Sequence, residues 1–205
     1  MSAFLTVENA EFEYEISRSK FIAFCRRVRS DEEATNAIAE IRKKYRDATH
    51  VCHAYIAHEC ARNSDDGEPS GTAGMPIMDA LRGAGVNEAL VAVVRYFGGI
   101  KLGTGGLVRA YSYAANGALS AAGRLEAADC KIYKVSYDYN VYKKIEKREL
   151  QSLYKIVKQE YNRAVDLTYA VLNGDEFLKE ITSLTQGKFV AEELGERRVE
   201  RKIVT

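Results

Sequence analysis

The segment from Arg95 to Tyr111 reads Arg-Tyr-Phe-Gly-Gly-Ile-Lys-Leu-Gly-Thr-Gly-Gly-Leu-Val-Arg-Ala-Tyr, with five glycines and three basic residues. No carboxylate stands between Glu88 and Glu126, whereas Arg95, Lys101, Arg109 and Arg124 carry positive charge there. A glycine-rich turn that opens a helix leaves backbone N–H groups unpaired, and the positive end of the helix dipole adds to them. That is the chemistry of anion binding. Phosphate contacts are therefore expected from Arg95, Lys101 and Arg109, with backbone donors from Gly103, Thr104, Gly105 and Gly106. Neither GxxxxGK[ST] nor GxGxxG occurs, so neither standard nucleotide fingerprint is present. Tyr96, Phe97, Tyr111 and Tyr113 interleave with the basic residues, which suits single-stranded nucleic acid, although Phe97 is expected in the core rather than as a platform. Tyr111 and Tyr113 fall on nearly opposite sides of a helix, so at most one of them joins the loop.

A second chemical segment runs Asp65-Asp66-Gly67-Glu68-Pro69-Ser70-Gly71-Thr72-Ala73-Gly74. It places Asp65, Asp66 and Glu68 on a loop that leads into a helix. Ser70 or Thr72 can cap that helix, and acids near its start are stabilising. In an alternative reading the three carboxylates hold Mg²⁺ while the glycine loop cradles phosphate, as in an enzyme acting on a phosphorylated small molecule or nucleotide. His50, Ser70, Thr72, Tyr96 and Tyr111 are further surface candidates. His50, Cys52, His53, His58 and Cys60 together suggest zinc. Along a continuous strand, however, Cys52 and Cys60 lie about 26 Å apart at roughly 3.3 Å per residue, and His53 points to the other face. No structural zinc and no other cofactor are expected.

These segments need elements to position them. Glu11 to Val28 alternates as two strands around a turn at Ser17–Ser19. Ser30 and Glu33 form a capping-box pattern, after which Ala34, Ala37, Ile38, Ile41 and Tyr45 fall on one helical face. A strand is expected over Val51 to Glu59, with Cys52 and Ala54 facing the core, and a polar loop over Ala61 to Ser70. A helix follows from near Thr72, with Pro76 in its first turn. Leu90 to Val94 is continuously apolar and reads as a central strand buried on both faces. A small-residue helix follows from Thr104 to Ala122. The strand Val51–Glu59 is expected to run parallel to Leu90–Phe97 through the intervening helix, bringing both loops to one end of the sheet.

Past Gly123 the character changes, with tyrosine, lysine and glutamate replacing glycine. The expected order is strand (Cys130 to Tyr139), helix (Val141 to Ser152), strand (to Tyr161), strand (Ala164 to Leu172), helix (Glu176 to Thr185) and strand (Lys188 to Val204). This βαββαβ order is ferredoxin-like. The basic run Lys143 to Arg148 reads as a solvated helix face. The chain thus divides into domains 1–130 and 131–205.

The formal net charge of +1 gives no global field toward nucleic acid or anionic lipid, so any such partner must meet a local patch. No apolar run reaches the roughly 18 residues of a transmembrane helix, so no membrane partner is expected. Met1 to Ala10 lacks a basic region followed by an apolar one and does not read as a signal peptide. Cys25, Cys52, Cys60 and Cys130 form no CxxC pair, which fits reduced thiols in the cytoplasm.

Three motifs carry a family resemblance: Ala48-Thr49-His50-Val51-Cys52-His53-Ala54-Tyr55, the run Asp65 to Pro76, and the run Val93 to Tyr111. They resemble the YigZ/Impact family in its bacterial two-domain form. The match covers about Ser19 to Gly123, and the remainder resembles the short second domain of bacterial members. The resemblance implies an α+β protein. Its first domain would be of the ribosomal-protein and elongation-factor type, a mixed sheet with helices on one side. Its second would be similar to the C-terminal domain of elongation factor G. The resemblance also implies kinship with eukaryotic proteins that act in translation control through protein partners and carry a different flanking domain, which this chain lacks. The expected function is a non-enzymatic translation-associated factor binding RNA or the ribosome. A protein–protein adaptor using the same surface is a further alternative beside the Mg²⁺ enzyme.

Overall fold

The computed structural model describes residues 3–203 apart from 59 and 149. It divides into two compact units, one comprising 5–125 with 202 and 203, the other 126–201 with Ala3 and Phe4. The division at Leu125/Glu126 falls five residues before the expected boundary.

β1 (Phe4–Val7) comes first in the chain, and the sheet of the first unit begins with β2 (Ala10–Ile16) and β3 (Ser19–Arg27). Ser17 and Arg18, both at positive φ, make the tight turn between β2 and β3. Ser30 caps α1 (Asp31–Lys44) by accepting the Glu33 N–H at 3.1 Å. Glu33 reaches back to the Arg29 N–H at 2.7 Å. Next come β4 (His50–Ala57), β5 (Cys60–Ser64), α2 (Gly74–Ala84), β6 (Ala89–Tyr96) and α3 (Gly103–Ala122).

The sheet order is β2-β3-β6-β4-β5, with β6 central as its apolar run requires. Two expectations are corrected here. The four strand pairings of this sheet are antiparallel, including β4 with β6, whereas a parallel pair in a mixed sheet was expected. The reason is β5. The chain reverses at His58 (φ 52) and pairs Ala57 with Cys60, so the segment expected as a loop is a hairpin strand. Its polar sequence, Cys-Ala-Arg-Asn-Ser, gives an edge strand no apolar signature. The hairpin also puts Cys60 with the α1-side core and Cys52 with the opposite one.

The second correction concerns the layers: helices lie on both faces. Phe21, Ala23, Val91 and Val93 pack with Ile77, Leu81, Ala110 and Ala114 of α2 and α3. Ile22, Phe24, Leu90 and Val94 pack with Ala34, Ile38 and Ile41 of α1. Strands apolar on both faces cannot leave one in water, since each buried Leu, Ile or Phe contributes about 1.5–3 kcal/mol.

The second unit runs β7 (Arg124–Tyr137), α4 (Tyr139–Ile145), β8 (Leu153–Tyr161), β9 (Val165–Val171), α5 (Gly174–Thr185) and β10 (Val190–Lys202). β8 pairs with β9, β9 with β7, and β7 with β10, which is the ferredoxin-like arrangement. Asn173 caps α5 through the Asp175 and Glu176 N–H groups. α4 stops well short of Ser152. Val141, Tyr142 and Ile145 make an apolar face that Arg148 cannot extend. The expected strand ends at Glu59 and Val204 lie outside the described residues. Among the described residues no helix is long and apolar enough to cross a membrane.

Candidate functional site

Antiparallel pairing sets His50, at the start of β4, opposite Arg95, near the end of β6. β5 returns the chain to that same sheet end, with Ser64 opposite His53. The acidic loop therefore meets the glycine-rich loop there, although not by the parallel route expected. Gly98 lets the glycine-rich loop pack on the β2–β3 turn: a Cβ there would lie 2.0 Å from the Arg18 carbonyl carbon and oxygen.

The acidic residues are spent on the fold. Asp65 accepts N–H groups from Gly71 (2.8 Å), Ala73 (2.9 Å) and Gly74 (2.8 Å), and so caps α2 from outside the helix. Gly74 is needed there, since a Cβ would press on the Ser64 backbone at 2.9 Å. The expected caps are corrected: Ser70 is exposed, and the Thr72 hydroxyl donates to the Pro69 carbonyl at 2.6 Å. Asp66 accepts the Val51 N–H at 2.7 Å and pairs with Arg42 at 2.6 Å. Burial raises the Asp65 pKa, but its backbone bonds outweigh this and hold it below the usual carboxylate range. Asp66 is likewise raised by burial and held low overall by Arg42 and the Val51 N–H.

Glu68 is different. Its side chain is 2% exposed and its Oε1 accepts from Arg95 at 2.5 Å and from the Tyr111 hydroxyl at 2.7 Å. Burial pushes the Tyr111 pKa far up, so the phenol stays a donor. The Cys52 sulfur lies 3.3 Å from that hydroxyl, its thiol pushed up to about 12 by burial. His50 Nδ1 lies 2.8 Å from the Asp66 carbonyl oxygen, which can only accept, so Nδ1 carries the proton. Nε2 then faces Glu68 Oε1 at 3.9 Å. The Mg²⁺ arrangement is corrected by this geometry: Asp65, Asp66 and Glu68 point to three separate sets of partners. Among the described residues no group of three His, Cys, Asp or Glu side chains is placed to hold a metal.

Arg95, expected as a phosphate contact, is held inside the floor. It is buried with Glu68, lies 3.4 Å from the Ser19 hydroxyl, and sits between the Phe21 and Phe97 rings, 5.5 Å from each centroid. Among the described residues its buried Nε has no hydrogen-bond partner. Sequence alone could not separate this arginine from the exposed Lys101 and Arg109, because its carboxylate partner lies 27 residues away.

Above this floor lies a cavity of about 410 Å³. Its lining includes the polar Glu68, Arg95 and His50, the apolar Phe97 and Leu102, and Lys101, Gly103 and Thr104 at the start of α3. α3 has no side-chain cap and no acid in its first turn, and Gly103, Thr104 and Gly105 are exposed. Its first N–H groups therefore have no intrahelical partner. Gly105, Gly106 and Arg109 do not line the cavity. The Arg109 guanidinium nevertheless folds back over Gly105, 3.7 Å from where a Cβ would stand. Tyr96 is set aside, donating to Asp47 at 3.0 Å. Of the two helix tyrosines, Tyr111 joins the site and Tyr113 packs edge-on to Tyr14 instead. Thr49, Pro69 and Leu107 also line the cavity; all three lie within the resemblance motifs, but their residue types gave no chemical reason to single them out.

A model of the Impact N-terminal domain matches residues 17–119. The IMPACT family member YvyE of Bacillus subtilis (strain 168) is 38% identical over 192 residues, covering 91% of this chain and 88% of that protein. An IMPACT family member of Haemophilus influenzae is 32% identical over 206 residues, covering 96% of this chain and 100% of that one. The crystal structure of a hypothetical protein is similar with a TM-score of 0.63 at 32% identity, covering 93% of this chain and 97% of that chain.

Proposed function

The chain belongs to the IMPACT family, and we propose that its first unit binds RNA of the translation machinery through phosphate seated at the start of α3. The observation that carries this reading is the uncapped, acid-free first turn of α3 opening on a cavity beside Lys101. Phosphate oxygens satisfy such N–H groups and are favoured by the helix dipole. Glu68 does not oppose this, because Arg95 neutralises it within the floor. Lys101 and the helix therefore set the local sign, and Arg109 adds charge at Gly105. The link to translation rests on the kinship that the sequence motifs imply. The buried carboxylate, engaged by Arg95 and Tyr111, suits a preformed binding floor rather than proton transfer.

The test is Lys101→Glu with Arg109→Glu, titrated against labelled RNA at several salt concentrations and co-sedimented with ribosomes. Each phosphate contact on a single strand contributes a salt slope of roughly 0.7, so the variant should bind weakly and its slope should flatten by about one to two. The loss should be alike for all sequences, because phosphate contacts do not read bases. A folded variant that binds as tightly as the native protein would defeat the reading. Capture of a protein partner that survives nuclease treatment would favour an adaptor in its place.

A further inference from the structure

We infer that the cavity takes one nucleotide of an unpaired RNA strand, its phosphate on the first turn of α3 and its base stacked on Phe97. This rests on the RNA reading above and specifies its ligand. Phe97 is 45% exposed and lines the same cavity as Gly103 and Thr104. One face of its ring is covered by the Arg95 guanidinium, 5.5 Å from the centroid, and Phe21 lies at the same distance from that guanidinium. The two rings share one guanidinium, and Glu68 anchors its Nη1 at 2.5 Å.

The root of the ring is fixed as well. The Phe97 N–H donates to the Thr49 hydroxyl at 3.0 Å, and the Gly98 N–H to the Ser19 hydroxyl at 3.2 Å. Phe97 is therefore a braced platform, whose ordering is already met in the free protein. Arg95 is a second sign of a built site. Its side chain is 6% exposed, it lines the cavity, and among the described residues its buried Nε is without a hydrogen-bond partner.

The size of the cavity, about 410 Å³, falls within the ~300–1,000 Å³ of small-ligand sites and suits one nucleotide rather than a duplex. A base within a duplex is already stacked on both sides and cannot offer its face to Phe97, whereas an unpaired base can. Phosphate at one wall and base at the other make the site selective for single strands without reading sequence.

The experiment measures binding of a labelled unstructured oligoribonucleotide and of a hairpin duplex of matched charge to the full chain. The variants are Phe97→Ala, Phe97→Tyr and the Lys101→Glu/Arg109→Glu pair. We expect the native protein to prefer the single strand by about tenfold or more. Phe97→Ala should weaken single-strand binding by roughly 5- to 100-fold, the range of one lost base stack, and leave duplex binding unchanged. Phe97→Tyr should keep the single-strand affinity, and it is the loss confined to the single strand in Phe97→Ala that a merely structural role for the ring would not predict. If single strand and duplex bind equally and Phe97→Ala binds both normally, while the charge variant loses both, the stacking inference is wrong and the phosphate reading stands. If the native protein binds neither RNA, both fall together.

Discussion

Replacing Glu68 with glutamine isolates the charge on the cavity floor. The Glu68 and Arg95 side chains are 2% and 6% exposed and their contact is 2.5 Å. A glutamine oxygen can still accept from Tyr111 and Arg95, but the guanidinium is left buried without its counter-charge. Breaking a buried pair from one side costs about 3–5 kcal/mol. The bonds retained, and the rings of Phe21 and Phe97 around the guanidinium, place Glu68→Gln at the lower end, about 3 kcal/mol. At about 3–5 °C per kcal/mol for a unit of this size, Tm should fall by about 9–15 °C. Removing both charges together, in Glu68→Gln with Arg95→Met, should cost no more than either single change, a coupling of about 3 kcal/mol or more. The chain has no tryptophan, so unfolding in urea is followed by far-ultraviolet circular dichroism, with calorimetry for Tm. A single variant within about 1 kcal/mol of the native protein, or a double variant equal to the sum of the singles, would show that the pair is not the buried, interdependent floor described above.

Three further outcomes are expected. Asp65 and Asp66 have lower pKa values folded than unfolded, so their contribution is present above the unfolded value of about 3.9 and lost as pH falls through the folded values. The Asp65→Asn/Asp66→Asn variant should lose less stability than the native protein between about pH 5 and pH 3, and identical acid limbs in urea unfolding would contradict this. Gly98→Ala places a Cβ 2.0 Å from the Arg18 backbone and should destabilise by about 2–3 kcal/mol or more; an unchanged melt would mean that the two turns do not touch. Burial pushes the Cys25 and Cys52 thiols up to about 12 and Cys130 up to about 11. Alkylation of the native protein near about pH 8, mapped by mass spectrometry, should therefore label the less buried Cys60 first, and early labelling of Cys52 would count against a buried floor.

Much of this was legible in the chain itself, because the signals are local. Ser30 and Glu33 announce the start of α1, and Asn173 that of α5, since capping needs only neighbours within three residues. The run Ala89–Val94 declares a strand with no wet face, and Lys101 with Gly103–Gly106 declares a helix start with unpaired N–H groups. The βαββαβ order after Gly123 follows from alternating periods of two and 3.6.

What lay beyond the sequence depends on partners brought from afar. β5 has no apolar stripe, so the hairpin that reverses the chain at His58 was invisible, and with it the antiparallel direction of β4 and β6. Asp65 looked like a ligand until the fold turned it onto three N–H groups up to nine residues ahead. Arg95 looked like its neighbours Lys101 and Arg109 until register set it opposite His50 and over Glu68. Residue type determines that a side chain carries charge. Only the tertiary structure decides whether that charge is met by water, by a ligand or by another part of the same chain, because Coulomb attraction depends on distance and burial rather than on sequence separation.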